Sequence, residues 1–185
     1  MSIIRHVEIG VCGLSCRLCP AHHRETKSKC PGCKSEYRMG APCHFINCAI
    51  KKKGIEFCWL CNESKSCALL KKNREFAKTH DTSTCYQKIE DNAQIIQRNG
   101  IDKFEQQQKT RENLLVAMLA EFNEGRSKSL YCVAATVMEP AELEAALNEA
   151  RVQTKGMDLK QRAETMHLIL SKVAAEKNYV LKLRK

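Results

Sequence analysis

Apolar residues recur at helical spacing only after about residue 66 of this 185-residue chain. From Ser66, apolar positions three and four apart predict a helix to about Thr79, and the same spacing predicts a second helix that ends near Gly100. We expect Gly100 to end that helix in the left-handed conformation. We expect Asp102 to cap the longer helix that follows.

The rest of the chain also favours helices. The run Ser129–Met138 is apolar and short enough for a buried strand, but we assign it to a helix. Pro140 suits the first turn of the next helix, and Asp158 is positioned to open the last one. The alternating tail at 179–184 indicates a short strand or an extended arm.

The segment before residue 67 has few periodic apolar positions and many turn residues. The fold class is therefore expected to be mainly α. We predict a small irregular cysteine-rich metal-binding region of knuckles and short helices at residues 1–66, followed by a helical domain at residues 67–185.

Ten of the twelve cysteines lie between Cys12 and Cys67, where a packed core has no use for so many of them. We predict that these ten are metal ligands: Cys12, Cys16, Cys19, Cys30, Cys33, Cys43, Cys48, Cys58, Cys61 and Cys67. A two-residue gap lets one tight turn direct two sulfurs at a single ion, and two such pairs complete a tetrahedral site. The sequence contains three of these pairs.

The simplest partition gives two sites, each with four ligands and one spare thiol. We call Cys12, Cys16, Cys19, Cys30 and Cys33 the first cysteine group, and Cys43, Cys48, Cys58, Cys61 and Cys67 the second cysteine group. A short helix is expected to begin at Pro20 in the first group. Another is expected in the second, over residues 43–53 and ended by Gly54.

Two zinc ions are the predicted cofactors, and a [4Fe-4S] cluster is the alternative, because four thiolates serve both metals. The spacing of Cys12, Cys16 and Cys19 also occurs in radical-SAM enzymes, but the chain after it is too short and too helical for their barrel. Three neighbouring histidines could replace a thiolate, although ordinary second-sphere or exposed roles are commoner: His22, His23 and His44.

The order and flanks of the cysteines resemble the prokaryotic family called domain of unknown function 3795. The resemblance covers roughly residues 8 to 75 and rests on four blocks: CGLSCRLCPA from Cys12, CPGC from Cys30, CHFINCA from Cys43 and KGIEFCWLC from Lys53. It implies zinc binding through these cysteines and implies no particular activity. Lys65-Ser66 stands where members often carry Phe-Pro.

The basic excess is concentrated in the cysteine-rich half. Residues 1–80 carry 15 Lys and Arg against 6 Asp and Glu, a net charge of +9. Eight thiolates on two zinc ions would contribute a net charge of −4, so part of this excess offsets the sites. The partner is left open: a protein partner is possible, and nucleic acid is weakly supported, by the lysines and the aromatic Tyr37 and Trp59.

The start of the chain lacks the basic and apolar regions of a secretion signal, and no apolar run is long enough for a membrane span. We therefore expect a cytoplasmic protein with reduced thiols, without membrane association. The expected function is a metal-stabilised binding or adaptor module; the alternative is an iron–sulfur or thiol-based redox or metal-handling protein.

No catalytic or organic-cofactor residue is predicted, because no Ser/His/Asp set or carboxylate pair has a suitable spacing. The loop from Gly125 to Ser129 offers hydroxyls and cations to an anion, but a solvated loop is the commoner case. Glu36, Glu56 and Glu63 flank the cysteine turns, where solvated carboxylates are expected.

Overall fold

The computed structural model describes residues 4–40 and 42–185. Over these residues it contains seven α-helices and no β-strand, which confirms the mainly α fold class. An isolated antiparallel bridge joins Ile9 and Ser15. The helices are α1 (Glu36–Met39), α2 (Ala68–Thr79), α3 (Ile89–Asn99), α4 (Ile101–Phe122), α5 (Lys128–Val137), α6 (Pro140–Gln153) and α7 (Leu159–Lys177).

The cysteine-rich region is built from short turns. Two are 3-10 helices, Cys16–Leu18 and Cys58–Leu60, and one is a π-helix, Ile46–Lys52. The helix expected from Pro20 is wrong, because residues 20–23 form turns and the helical turn precedes the proline. The N–H of Cys19 donates to the Cys16 carbonyl at 3.1 Å and closes that turn.

The predicted helix over residues 43–53 is observed as the π-helix. Gly54 follows it with φ of +65°, the positive value expected of a glycine that ends a helix. The wider π turn is closed in part by the N–H of Lys53, which donates to the Cys48 carbonyl at 3.1 Å.

The second half confirms most of the expected helix limits. The run Ser129–Met138 lies almost entirely in α5, and Pro140 is the first residue of α6. The Asp158 carboxylate accepts a hydrogen bond from the Gln161 N–H at 2.9 Å, so Asp158 does cap α7. Asn178 ends α7 in the left-handed conformation, with φ of 58°.

The junction between α3 and α4 differs from the prediction. Gly100 has φ of 85° but ψ of 159°, which is outside the left-handed helical region. This residue alone separates the two helices, ending α3 and opening α4. Asp102 therefore lies in the first turn of α4, where its charge suits the helix dipole, and is not the capping residue.

Helix α4 is the centre of the helical region, since it packs on α3, α5, α6 and α7. Three of its apolar side chains are fully buried at 0% exposure, Leu115, Met118 and Phe122. They belong to the largest apolar cluster, which α5, α6 and α7 complete and which Leu18 of the first cysteine turn joins.

Two smaller clusters hold the cysteine-rich region together and attach it to the helices. One joins Ile46 and Ile50 of the π-helix to Leu70 of α2. The other buries Ile9 and Phe57 against α3 and α4. Apolar packing therefore crosses residue 66, and the division into two domains there stays a prediction.

The carboxyl-terminal tail is an extended arm and not a strand. Its Arg184 guanidinium donates to the Asp81 carboxylate at 2.9 Å and to the carbonyls of Ala77 and Lys78. The arm thereby closes over the end of α2. None of the described helices is both long and apolar enough to cross a membrane.

Candidate metal centres

The first cysteine group is organised by backbone hydrogen bonds around two turns. The N–H of Cys33 donates to the Cys16 sulfur at 3.2 Å, which is the bond that cysteine knuckles use to stabilise a thiolate. Cys30 is fixed by its own N–H, which donates to the Ala21 carbonyl at 2.9 Å. The two turns therefore bring Cys16 and Cys33 together although 17 positions separate them.

Glycine is required in the second of these turns. Gly32 has φ of +123°, where side chains are strained, and a Cβ atom there would lie 2.7 Å from the Val7 carbonyl oxygen. The Cys-Pro-Gly-Cys sequence therefore supplies both the turn and the close approach of the amino-terminal segment.

The thiols of the first cysteine group affect one another's ionisation. The hydrogen bond with Cys16 lowers the pKa of Cys33 to about 7, while the same bond and burial raise the pKa of Cys16. The positive charges of Arg38 and Lys34 also favour the Cys33 thiolate. One thiolate is thus readily formed, and a second needs a cation beside it.

Four members of the second cysteine group surround one cavity of about 110 Å³. Cys48 comes from the π-helix, Cys58 and Cys61 from the 3-10 turn, and Cys67 immediately precedes α2. Apolar side chains, including Phe45, complete the wall. Three separate segments of the chain therefore contribute four cysteines to the lining of one cavity.

The ionisation of the cysteines around this cavity favours a bound cation. Burial raises the pKa of Cys58 to about 12, and the neighbouring thiolates of Cys12, Cys67, Cys48 and Cys61 add to the rise. A dense group of thiols cannot ionise together without a cation. The Lys53 ammonium supplies one such charge, because it donates to the Cys61 sulfur at 3.2 Å and to the Glu63 carboxylate at 2.8 Å.

Cys12 lies between the two groups. It lines a separate cavity of about 350 Å³ together with Cys58, a member of the second cysteine group, and the adjacent Trp59. Burial raises the pKa of Cys12 to about 12, and charges on Cys33 and Cys43 raise it further. This position makes Cys12 a natural spare thiol in the two-site partition.

The cysteines of each group lie near one another, but their sulfur atoms are farther apart than the ligands of one zinc ion. Among the described residues, no three cysteine sulfurs lie within 4.8 Å of one another. Sulfurs that share a tetrahedral zinc ion are about 3.8 Å apart. Metal binding would therefore draw the sulfurs inward, and the chemistry of the donor set is what fits a metal here.

Two of the neighbouring histidines bind backbone carbonyls. His22 contacts the Cys30 carbonyl oxygen through Nδ1 at 3.0 Å, and His23 contacts that of Arg17. His44 is exposed. The first two therefore brace the turns that carry the cysteines, which is a second-sphere role.

One carboxylate beside the cysteine turns is not solvated as expected. Glu56 accepts a hydrogen bond from the Lys34 ammonium at 2.6 Å and further bonds from the N–H groups of Arg5 and His6. The Lys34 side chain has no exposed surface, and its ammonium lies 3.8 Å from the centre of the Phe57 ring. A buried ion pair thus joins the two cysteine groups.

A mixed group of ligand types was not expected from the sequence. His6, Asp102 and Glu105 place three ligand atoms within 4.8 Å of one another, and the His6 Nδ1 atom lies 3.1 Å from Glu105. The sequence offered no signal because His6 and the start of α4 are almost 100 positions apart. The contact joins the amino-terminal segment to the start of α4.

The loop expected to be solvated is partly buried. Ser127 is 1% exposed, and its hydroxyl contacts both the Glu124 carboxylate and, at 2.7 Å, His167 Nε2. A carboxylate already binds the hydroxyl that an anion would need. Cys132, which follows this loop, is buried, and burial raises its pKa to about 12, as expected of an inert thiol.

With this geometry established, comparison with known proteins adds one finding. Residues 8–72 match the family described as protein of unknown function DUF3795. This confirms the resemblance seen in the cysteine blocks. The matched DUF3795 segment includes all ten cysteines of the two groups and ends within α2, so it leaves α3 to α7 outside. A search of curated proteins and a search of solved structures found no match.

Proposed function

We propose that the DUF3795 segment holds two zinc ions in closed four-thiolate sites and acts as the rigid scaffold of a binding or adaptor protein. The main support is the cavity of about 110 Å³ that the second cysteine group lines. Cys48, Cys58, Cys61 and Cys67 line it together, from three segments that are separate in the sequence. Four soft sulfur donors in an apolar enclosure are the usual composition of a structural zinc site.

The surroundings favour a structural role over a catalytic one. A catalytic zinc ion keeps a position for water and needs a nearby general base. Glu63, the one carboxylate among the described residues that line this cavity, is already paired with Lys53. Four thiolate ligands leave no position for water on the ion, and a carboxylate already paired with lysine does not serve as a general base.

A protein partner is supported better than nucleic acid. Trp59 was the residue best suited to stack on a base, but one face of its ring is covered by Phe57 at 4.4 Å. The neighbouring Leu60 is 58% exposed at the tip of the same turn. An apolar tip on a rigid turn suits a protein surface.

Elemental analysis of protein expressed without added metal tests the proposal. We expect two zinc ions per chain, and Cys58→Ser should reduce this to one. Cys132→Ser is the matched control, because it also removes a buried thiol, one outside the two groups, and should retain both ions. Less than one metal per chain would overturn the proposal, and a brown protein containing iron and sulfide would replace zinc by the iron–sulfur alternative.

The two spare thiols can be assigned by the same measurement. In the two-site partition Cys12→Ser and Cys43→Ser should each retain two zinc ions, whereas Cys16→Ser should lose one. Loss of an ion from Cys12→Ser would make Cys12 a ligand and would change the partition without affecting the total.

A further inference from the structure

A third cavity, of about 410 Å³, lies away from the enclosed thiols of the second group. It is bounded by the first cysteine turn on one side and by α3, α4 and the end of α5 on the other. The turn contributes Leu14, Ser15 and Leu18 to the wall. A space of this size holds a small organic molecule.

Helix α4 carries a polar residue where its pattern requires an apolar one. Its buried face runs through Phe104, Leu115, Met118 and Phe122, all 0% exposed, and Gln108 occupies the same face at 5% exposure. The Gln108 side chain borders the cavity. A buried amide in a core position is unfavourable unless it has a partner, and such exceptions mark functional sites.

Helix α3 repeats this feature opposite α4. Asn92 lies on the buried face beside Ala93 and Ile96, is 9% exposed, and borders the same cavity. Its amide nitrogen donates to the Gly13 carbonyl at 3.1 Å, which fixes the side chain and leaves its own carbonyl oxygen available.

Ser15 supplies the third polar group of the inner wall. It is 6% exposed, and its hydroxyl oxygen is enclosed without a hydrogen-bond partner among the described residues. An unsatisfied hydroxyl in the interior costs free energy that a bound polar group would recover. Residues with polar side chains from three separate elements therefore border one space.

The mouth of the cavity carries one unneutralised positive charge. Lys88 is paired with Asp91 at 3.0 Å, and Arg111 with Glu139 at 3.2 Å. Arg98, which also lines the cavity, is exposed and forms no ion pair within the described part of the chain. A ligand with a single negative charge complements this wall.

We propose that this cavity binds a small organic monocarboxylate with a polar group at its opposite end. Arg98 binds the carboxylate at the mouth, and Ser15, Asn92 and Gln108 bind the polar group inside. Apolar side chains, among them Leu14 and Ile95, contact the carbon atoms between the two ends. No metal ligand is needed to bind the carboxylate itself, so carboxylate binding tests this proposal and metal content tests the zinc proposal.

Ligand-observed NMR titration with named probes tests this site. The carboxylate probes are 4-hydroxybenzoate, 4-hydroxybutyrate and succinamate, and 4-hydroxybenzamide is the neutral counterpart of the first. We expect saturable binding of at least one carboxylate. The neutral amide should bind about tenfold more weakly than 4-hydroxybenzoate, because it lacks the charge that Arg98 recognises.

Variants locate the bound probe. Arg98→Gln should weaken carboxylate binding about tenfold and leave the neutral amide unchanged, whereas Arg126→Gln, an exposed arginine distant from the cavity lining, should change neither. Ser15→Ala should weaken 4-hydroxybenzoate about fivefold but leave benzoate, which lacks the hydroxyl, unchanged.

Folding and zinc content are measured on every variant, because Ser15 adjoins Cys16. If Ser15→Ala loses metal, Gln108→Leu replaces it as the inner-wall variant, with the same expected effect. Three results overturn the proposal: no carboxylate binds, the neutral amide binds equally well, or Arg98→Gln and Arg126→Gln behave alike.

Discussion

The two regions of this chain are stabilised by different means. In the helical region one cluster of 19 buried residues runs through α4, α5, α6 and α7. The main apolar cluster of the cysteine-rich region has 6 buried residues. Polar contacts also connect this region, among them the buried Lys34–Glu56 ion pair and the hydrogen bond from the Cys33 N–H to the Cys16 sulfur. Apolar packing suffices for the first region, whereas the second needs a further source of stability.

The difference follows from how each region makes its turns. Long helices present repeated apolar faces, so each residue added to α4 or α7 extends the core. Short 3-10 and π turns present no such face, and their side chains diverge. The proposed zinc sites would overcome this limit, because a metal ion joins four divergent side chains at one point.

Metal removal should give the largest effect on the structure of the cysteine-rich region. If that region kept its structure without metal, the proposed difference between the two regions would be wrong. Trp59, the single tryptophan, lies in the cysteine-rich region where this region packs against α3 and α4, so its emission reports on the region and on its attachment to the helices. After treatment with a chelator we expect its fluorescence emission to shift to longer wavelength, while most of the helical circular dichroism signal of α4 to α7 remains. Unchanged Trp59 emission after verified loss of metal would show that the sites are not structural.

Breaking the buried ion pair should have the next largest effect. Lys34→Ala leaves the Glu56 carboxylate, which is 11% exposed, without its ammonium partner. We expect a loss of about 3–5 kcal/mol in the free energy of unfolding of this region. Lys34→Met combined with Glu56→Gln removes both charges and should cost less, and chemical denaturation followed at Trp59 measures both.

A core substitution sharpens the comparison from the helical side. Leu115→Ala should lower the free energy of unfolding by about 3 kcal/mol, since Leu115 is 0% exposed at the centre of the large cluster. Val116→Ala is the matched control on the next position, where the side chain is 49% exposed, and should cost less than about 0.5 kcal/mol. Zinc content should be unchanged in both, and its loss would show that the regions do not hold their structure independently.

The smallest effect is expected at the carboxyl-terminal arm, which binds Asp81 and the end of α2. Burial raises the pKa of Asp81, but hydrogen bonds from Arg184 and Tyr86 outweigh burial and lower the pKa overall. A lowered folded-state pKa stabilises the fold above the unfolded value of about 3.9, and this stabilisation is lost as pH falls through the folded-state pKa.

Arg184→Ala should therefore cost about 1–3 kcal/mol at pH 7, and its difference from the unmodified protein should shrink below about pH 4. Glu90→Gln is the control, since it breaks the exposed pair with Arg74 and should cost less than about 1 kcal/mol at any pH. Thermal melts across this pH range measure both, and a constant difference for Arg184→Ala would exclude linkage through Asp81.

Local chemistry in the sequence determined the helical class, most helix limits and the cysteine turns. Proline at the start of α6, the Asp158 cap and the apolar repeat of α4 each act within a few residues, so the sequence alone predicts them. The spacing of the cysteine pairs is local in the same sense. This spacing indicates which cysteines are metal ligands without indicating which of them share a site.

Only the tertiary structure decided which residues that are distant in the sequence come into contact. The sequence placed Cys12 in the first group by proximity along the chain, whereas the fold places it beside Cys58. Glu56 was expected in solvent and is bound to Lys34, and Gln108 looked like an ordinary helix residue until α3 and the Ser15 turn enclosed it. These contacts join positions far apart in the chain, where no local spacing or propensity carries information, so they follow from packing and not from pattern.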